Sequence, residues 1–268
     1  MDTPCSLRHL LFDEEAMNML FTILGTFQSM NAALLKSWIF LRSCRRFGDD
    51  PVIHGTELPQ WPGYRAQKVD VPLKFYEEQC KGYTHVFYTD ACDCLMLGSF
   101  DEVKEKYRAA GSPPFFVSGS KQLGNVGDSR YDGVFKQSGS FPYPNVGGYI
   151  AEIPAIIETF RRFLRDYTSG DDCFMWYDAI KDGWWNPVID DRCQVWHVNA
   201  TESVEIVQSE RFPRLRNTIT GELPCIIHMS GGYFDPEYCR DEAMLPWAWD
   251  LGIVERGKTR DDYYRRLR

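Results

Sequence analysis

Asp90-Ala91-Cys92-Asp93 directly follows the apolar run Val86-Phe87-Tyr88-Thr89. In open α/β sheets, ligands bind in the crevice at the carboxyl ends of the strands, so two carboxylates three apart in such a turn face that crevice. They can converge on one cation, and hard oxygen donors with open positions suit Mn²⁺ or Mg²⁺, ions that bridge nucleotide phosphates. A plain strand-end turn with Asp90 as a cap explains the same residues without a metal. A second short apolar run, Cys225-Ile226-Ile227, ends in His228 and continues Met229-Ser230-Gly231-Gly232. A neutral imidazole there can be the third protein ligand of the same ion, with Gly231 letting backbone approach phosphate. The plain alternative is a satisfied histidine before a turn.

Two further stretches carry chemistry-bearing residues. Tyr143-Pro144-Asn145-Val146-Gly147-Gly148-Tyr149-Ile150 reads as a turn with two glycines feeding an apolar stretch, suited to close approach of a sugar or phosphate or simply to turning. Asp171 and Asp172 precede the hydrophobic run from Cys173, where they serve either as helix caps or as groups facing a sugar or acting as a base.

These residues need a scaffold. Leu20 to Leu24 reads as a buried strand ending in Gly25-Thr26, and a helix follows, capped by Asn31, with Leu34, Leu35, Trp38 and Leu41 at helical spacing and Gly48 closing it. A Pro- and Gly-rich passage over 50–63 leads to a short helix around Lys74 to Cys80. The continuous run Thr84 to Thr89 then suggests a strand buried on both faces, as in a parallel sheet. Phe100 to Ala109 reads as helix, Pro113 to Ser118 as strand, and Gly119 to Pro144 as a long loop with too few apolar residues to pack by itself. Pro154 opens a helix with Ile156, Ile157, Phe160 and Leu164 inward and Arg161, Arg162 and Arg165 outward. Gln194 to Val198 and Cys225 to His228 are later strand candidates, in a less regular C-terminal third. The expectation is one α/β domain over 1–268, with an N-terminal extension over 1–18 and a basic tail over 240–268.

Composition narrows the partners. With 30 Lys+Arg against 38 Asp+Glu, the net charge of −8 gives no general basic field for nucleic acid or an anionic membrane. No apolar run is long enough to span a bilayer. Nine cysteines without a secretory leader read as reduced, mostly buried thiols in the cytoplasm, with Cys80, Cys92 and Cys94 as packing residues. Local basic groups remain: Arg211, Arg214 and Arg216 beside Phe212, and six basic against two acidic residues from Arg256 to Arg268, with Tyr263 and Tyr264 among them. These read either as a nucleic-acid contact or as solvated surface. Trp184 and Trp185 read as an apolar wall for a sugar or base, or as core packing.

In order along the chain, these elements resemble a GT-A glycosyltransferase, a Rossmann-like nucleotide-sugar-binding fold with a mixed, mostly parallel sheet and helices on both faces. The similarity is strongest to the glycosyltransferase domain of the procollagen lysyl hydroxylase and collagen galactosyltransferase type. It rests on TDACDCLMLGSFDEV (Thr89 to Val103), YPNVGG (Tyr143 to Gly148), Asp171-Asp172-Cys173-Phe174, Val188-Ile189-Asp190 to Trp196, and IIHMSGG (Ile226 to Gly232), and covers about Leu20 to Tyr233. The resemblance implies an enzyme that moves a hexose from a nucleoside diphosphate sugar, UDP-glucose or UDP-galactose, with Asp90, Asp93 and His228 holding Mn²⁺ or Mg²⁺. It places Thr26, Lys74, Ala91 and Cys92 along the donor, and Asn145, Gly147 and Gly148 beside its sugar. Asp171 and Asp172 would face sugar or acceptor, and Asp172 or Asp190 would serve as base if the reaction inverts. Three departures stand out: Cys92 where an aromatic stacks on uracil, Val146 where the family has Ser, and Cys173 where it has Gln. The expected acceptor is a macromolecular hydroxyl, first a 5-hydroxymethylpyrimidine in DNA, otherwise hydroxylysine or another protein or glycan hydroxyl. A non-catalytic nucleotide-sugar-binding module is the remaining alternative.

Overall fold

Met19–Leu24 (MLFTIL), strand β1, has all six residues buried, because alternate side chains enter different cores on the two faces of the sheet. The computed structural model describes residues 17–24, 37–56, 66–123, 129–131, 133–135, 139–167, 172–199, 201–229 and 241–258. Its strands continue with β2 (Val52–His54), β3 (His85–Thr89), β4 (Cys94–Met96), β5 (Phe115–Ser120), β6 (Tyr143–Glu152), β7 (Val188–Asp190), β8 (Trp196–Val198), β9 (Val204–Val207), β10 (Arg214–Asn217) and β11 (Ile226–His228). The helices are α1 (Trp38–Arg45), α2 (Val71–Gln79), α3 (Phe100–Ala109), α4 (Ile153–Asp166), α5 (Asp172–Lys181) and α6 (Asp241–Asp250).

Nine strands form one mixed sheet in the order β2-β1-β3-β6-β5-β8-β11-β4, with β7 also on β5, and β9 and β10 make a separate hairpin. The pairs β1–β2, β1–β3, β5–β7, β5–β8 and β8–β11 are parallel, whereas β6 runs antiparallel to both its neighbours and β4 antiparallel to β11. The fold is therefore a mixed, mostly parallel α/β sheet covered on both faces. Leu73 and Tyr76 of α2, Phe160 and Phe163 of α4 and Trp176 of α5 pack one face, against Val86, Tyr88 and Tyr149. Phe40 and Leu41 of α1 and Val103 and Tyr107 of α3 pack the other, against Phe21, Phe87 and Trp196.

Local signals account for the helix ends. Ser99 caps α3 by accepting from the Glu102 amide at 3.1 Å, and Gly48 takes a left-handed φ of 84° just past α1. The Asn31 cap expected for α1, with Leu34 and Leu35, lies outside the described residues.

Three expectations change and one open reading, that of Trp184 and Trp185, is decided. Residues 143–150 are the first eight residues of the ten-residue strand β6 rather than a turn. The 119–144 stretch starts and ends inside strands and buries Tyr131, Phe135 and Phe141 between them, so it does carry packing anchors. Trp185 is core, its ring centroid 4.4 Å from that of Trp176, while Trp184 stacks on Tyr167 under the Arg162 guanidinium; neither forms a ligand wall. The stretch taken as a basic tail begins with α6 and the turn after it, which bury Ala248, Leu251, Ile253 and Val254 against Trp38 and Ile39 of α1.

Candidate metal and donor site

Three chain segments meet at the carboxyl ends of β3 and β11. Asp90 leaves β3 at the point where β6 is irregular: Val117 pairs with Tyr149 but the next residue, Ser118, pairs with Asn145. The Asp90 amide donates to the Gly147 carbonyl at 2.7 Å, and the Asn145 carboxamide oxygen accepts from the Gly147 amide at 3.0 Å. On the other side, the Met229 amide donates to the Asp93 carbonyl at 2.8 Å, tying the end of β11 to the same turn.

This framing brings His228 Nε2 to 3.5 Å from Asp93 Oδ1 and 3.7 Å from Asp90 Oδ2. His228 and Asp93 are 1% and 3% exposed, and both His228 ring nitrogens lack a hydrogen-bond partner. Leaving a buried polar atom unpaired costs about 1–3 kcal/mol, so an imidazole orphaned beside two carboxylates fits a cation bound between them. The contrast with His54 is informative. It ends β2 equally buried and orphaned, but it stacks on Phe75 at 4.5 Å, and burial lowers its pKa to about 3. No carboxylate approaches it among the described contacts, and it reads as a neutral core ring.

The glycines of β6 serve this approach sterically. A Cβ on Gly147 would lie 2.0 Å from His228 Cε1 and 2.8 Å from Asp90 Oδ2, and one on Gly148 would lie 2.3 Å from Trp196 Nε1. Ala91 is buried in the turn and Cys92 is half-buried, its Sγ 4.0 Å from Ser37 Oγ. Asp90 Oδ1 is ion-paired with Lys68 and accepts from the Tyr88 hydroxyl at 2.6 Å, which in turn accepts from Lys68 at 3.1 Å.

Asp90, Ala91, Cys92, Asp93, Asn145, Gly147, Gly148 and His228 are thus brought together. Lys74 is exposed on α2, and Lys68, in the helical turn before it, is the lysine at the carboxylates. Asp190 ends β7 2% exposed, with its carboxylate accepting from the amides of Gln194, Val195 and Trp196 at 2.7–3.0 Å. Burial raises its pKa to about 6 against those amide bonds. With its oxygens so engaged, this carboxylate clamps the loop into β8 and is not free to take a proton from an acceptor. Asp172 is the first residue of α5; Thr26, Asp171 and Gly231 lie outside the described residues.

Sequence reasoning missed Lys68, Tyr88 and Cys94. Tyr88 was findable, because residues two apart at a strand end share a face. Cys94 joins Asp93 and His228 in a buried group whose ligand atoms all lie within 4.8 Å of one another. Two of the three arginines of the basic patch are ion-paired within the chain. Arg214, 13% exposed, pairs with Glu102 at 2.7 Å and donates to two carbonyls, Arg216 pairs with Glu205, and Arg211 donates to the Arg46 carbonyl. Glu102 is held below its usual range by Arg214 and Lys106 against the upward push of burial. The seven described cysteines are free thiols, and no described helix is long and apolar enough to cross a membrane.

No protein-family model matches the chain, and no curated protein does. Among solved structures, it is similar to a glycosyltransferase involved in glycosylation of the major capsid of PBCV-1. That likeness has 15% identity and a TM-score of 0.48, covering 85% of this chain and 99% of the other.

Proposed function

We propose that this chain is a metal-dependent GT-A glycosyltransferase that moves a hexose from a nucleoside diphosphate sugar, UDP-glucose or UDP-galactose, to a hydroxyl of a macromolecule. The observation that carries the reading is the orphaned His228 imidazole, buried at 3.5 and 3.7 Å from the two carboxylates of the strand-end motif. Asp90, Asp93 and His228 would hold Mn²⁺, which when bound would supply charge neutralisation for a nucleoside diphosphate leaving group. Gly147 keeps the floor of the site free of a side chain, Gly148 leaves room for the Trp196 indole, and Asn145 fixes the backbone of that floor. Asp172, at the start of α5, is the remaining candidate for the acceptor-side base. For the acceptor, the ion pairs of Arg214 and Arg216 weaken one of two supports for hydroxymethylated DNA and leave exposed Arg211 and the basic residues beyond 258. Hydroxylysine or another protein or glycan hydroxyl stands beside it.

The test is nucleotide release from a panel of nucleotide sugars, with and without Mn²⁺, for the wild type and Asp93→Ala. Metal-dependent release from one donor, reduced at least ~100-fold in Asp93→Ala, is expected, since even the partners of metal ligands are worth about 10–100-fold. Nucleotide binding without turnover would reassign the chain as a binding module. No metal-dependent binding of any donor would refute the reading altogether.

A further inference from the structure

Cys94 stands directly opposite His228 in the antiparallel β4–β11 pair, so the two side chains leave the same face of the sheet. Its thiol, an Asp93 carboxylate oxygen and a His228 ring nitrogen lie within 4.8 Å of one another, and all three residues are buried. A four-coordinate ion with bonds of about 2.0–2.3 Å needs donors roughly 3.3–3.8 Å apart, so modest inward shifts of side chains already converging would close the shell. We propose that Cys94 is a ligand of this centre and makes it prefer thiophilic divalent ions, Zn²⁺, Co²⁺ and Cd²⁺, over Mg²⁺. The proposal rests on the metal reading above and specifies which ions that site takes.

Three observations support it beyond proximity. Both His228 nitrogens are unpartnered, so the group is not a completed hydrogen-bond cluster in which the thiol is merely a neighbour. The Thr89 hydroxyl lies 3.8 Å from Cys94 Sγ, placed to donate to a thiolate as an outer partner of the ligand. Asp90, which would otherwise complete the set, has one oxygen taken by Lys68 and Tyr88 and presents only Oδ2 toward His228. Asp93, Cys94 and His228 therefore form the closed side of the centre, and Asp90 lies toward the crevice. On coordination the thiol proton passes to solvent and the sulfur lone pair forms the metal bond. Soft thiolate favours Zn²⁺, Co²⁺ and Cd²⁺, whereas Mg²⁺ takes oxygen donors.

The experiment is titration of the full chain with Co²⁺ and Cd²⁺ alone, followed by absorption and cadmium NMR. The wild-type Co²⁺ complex is expected to show visible ligand-field bands and a near-ultraviolet thiolate-to-cobalt charge-transfer band. Cys94→Ser keeps the former, loses the latter, and binds Cd²⁺ at least tenfold more weakly with Mn²⁺ affinity within threefold. Cys92→Ser, changing the neighbouring half-buried thiol, keeps the charge-transfer band. Should Cys94→Ser fail to fold, the cadmium resonance of the wild type still reports whether sulfur is bound. Cobalt binding without a sulfur band or a sulfur-shifted cadmium signal overturns the Cys94 assignment and leaves the oxygen–nitrogen metal site standing. Absence of any metal binding overturns both.

Discussion

Replacing Gly147 by alanine tests the site through a contact the structure measures. Gly147 lies outside the left-handed region, so alanine adds no torsional strain and only its methyl matters. That methyl would sit 2.0 Å from His228 Cε1. Carbon atoms settle at about 3.5 Å or more, so the imidazole must withdraw by about 1.5 Å. Metal ligands tolerate errors of about 0.2 Å, and the displaced ring is lost as a ligand. The expected result is Mn²⁺ affinity reduced ~100-fold or more, equivalent to about 2.7 kcal/mol, with overpacking destabilising the fold by about 1–3 kcal/mol. Gly148→Ala is the matched control. Its methyl would strike the Trp196 indole, so it is expected to lose comparable stability while keeping Mn²⁺ affinity. Calorimetric Mn²⁺ titration with thermal melts of both variants decides. Wild-type affinity in a cooperatively folded Gly147→Ala, or equal loss in both variants, would refute the argument that Gly147 is glycine to admit His228.

Asp190 and Arg214 give two further tests. Burial raises the Asp190 pKa to about 6, so between its unfolded value near 4 and pH 6 the native chain binds more protons than the unfolded one. Its contribution is therefore fully present below about pH 4 and is lost as pH rises through 6, by about 3 kcal/mol. Asp190→Asn, which offers one acceptor oxygen to three amides, is expected to be the less stable protein by a margin that narrows from pH 4 to pH 7. Denaturant melts across that range check it, and a margin independent of pH counts against a buried titrating carboxyl. Arg214→Gln removes the ion pair with Glu102 and is expected to cost about 2 kcal/mol of stability, with no change in the salt-dependent binding of a DNA oligonucleotide. A lost salt slope in that titration would restore Arg214 to the nucleic-acid reading.

What was legible in the sequence is what neighbours in the chain decide. The helix read over Phe100 to Ala109 matches α3 to the residue, and the unbroken apolar run before Asp90 marks β3 as a strand buried on both faces. The three metal-ligand candidates were legible on local grounds too, Asp90 and His228 each as a polar residue at the end of an apolar run and Asp93 by its spacing from Asp90 in the same turn.

What was not legible depends on partners far along the chain. Gly147-Gly148 looks like a turn because glycine signals only that a Cβ is unwelcome. The reason here is an imidazole and an indole arriving from residues 228 and 196, so the same pair sits inside a strand. Arg214 looks like part of a basic patch because its counter-charge, Glu102, is 112 residues away. Asp190 is the exception to distance: the amides that occupy it lie only four to six residues on, but the backbone amides of Gln194, Val195 and Trp196 carry no residue-type signal that the loop folds back onto the carboxylate. Cys94 was read as packing, and it does face Met96 and Ile226 in the core; only the pairing of β4 with β11 reveals that it also faces His228. Side chains that share a site across a sheet are specified by register. Register follows from which strands become neighbours, so a spacing rule within one segment recovers the ends of strands and not the residues opposite them.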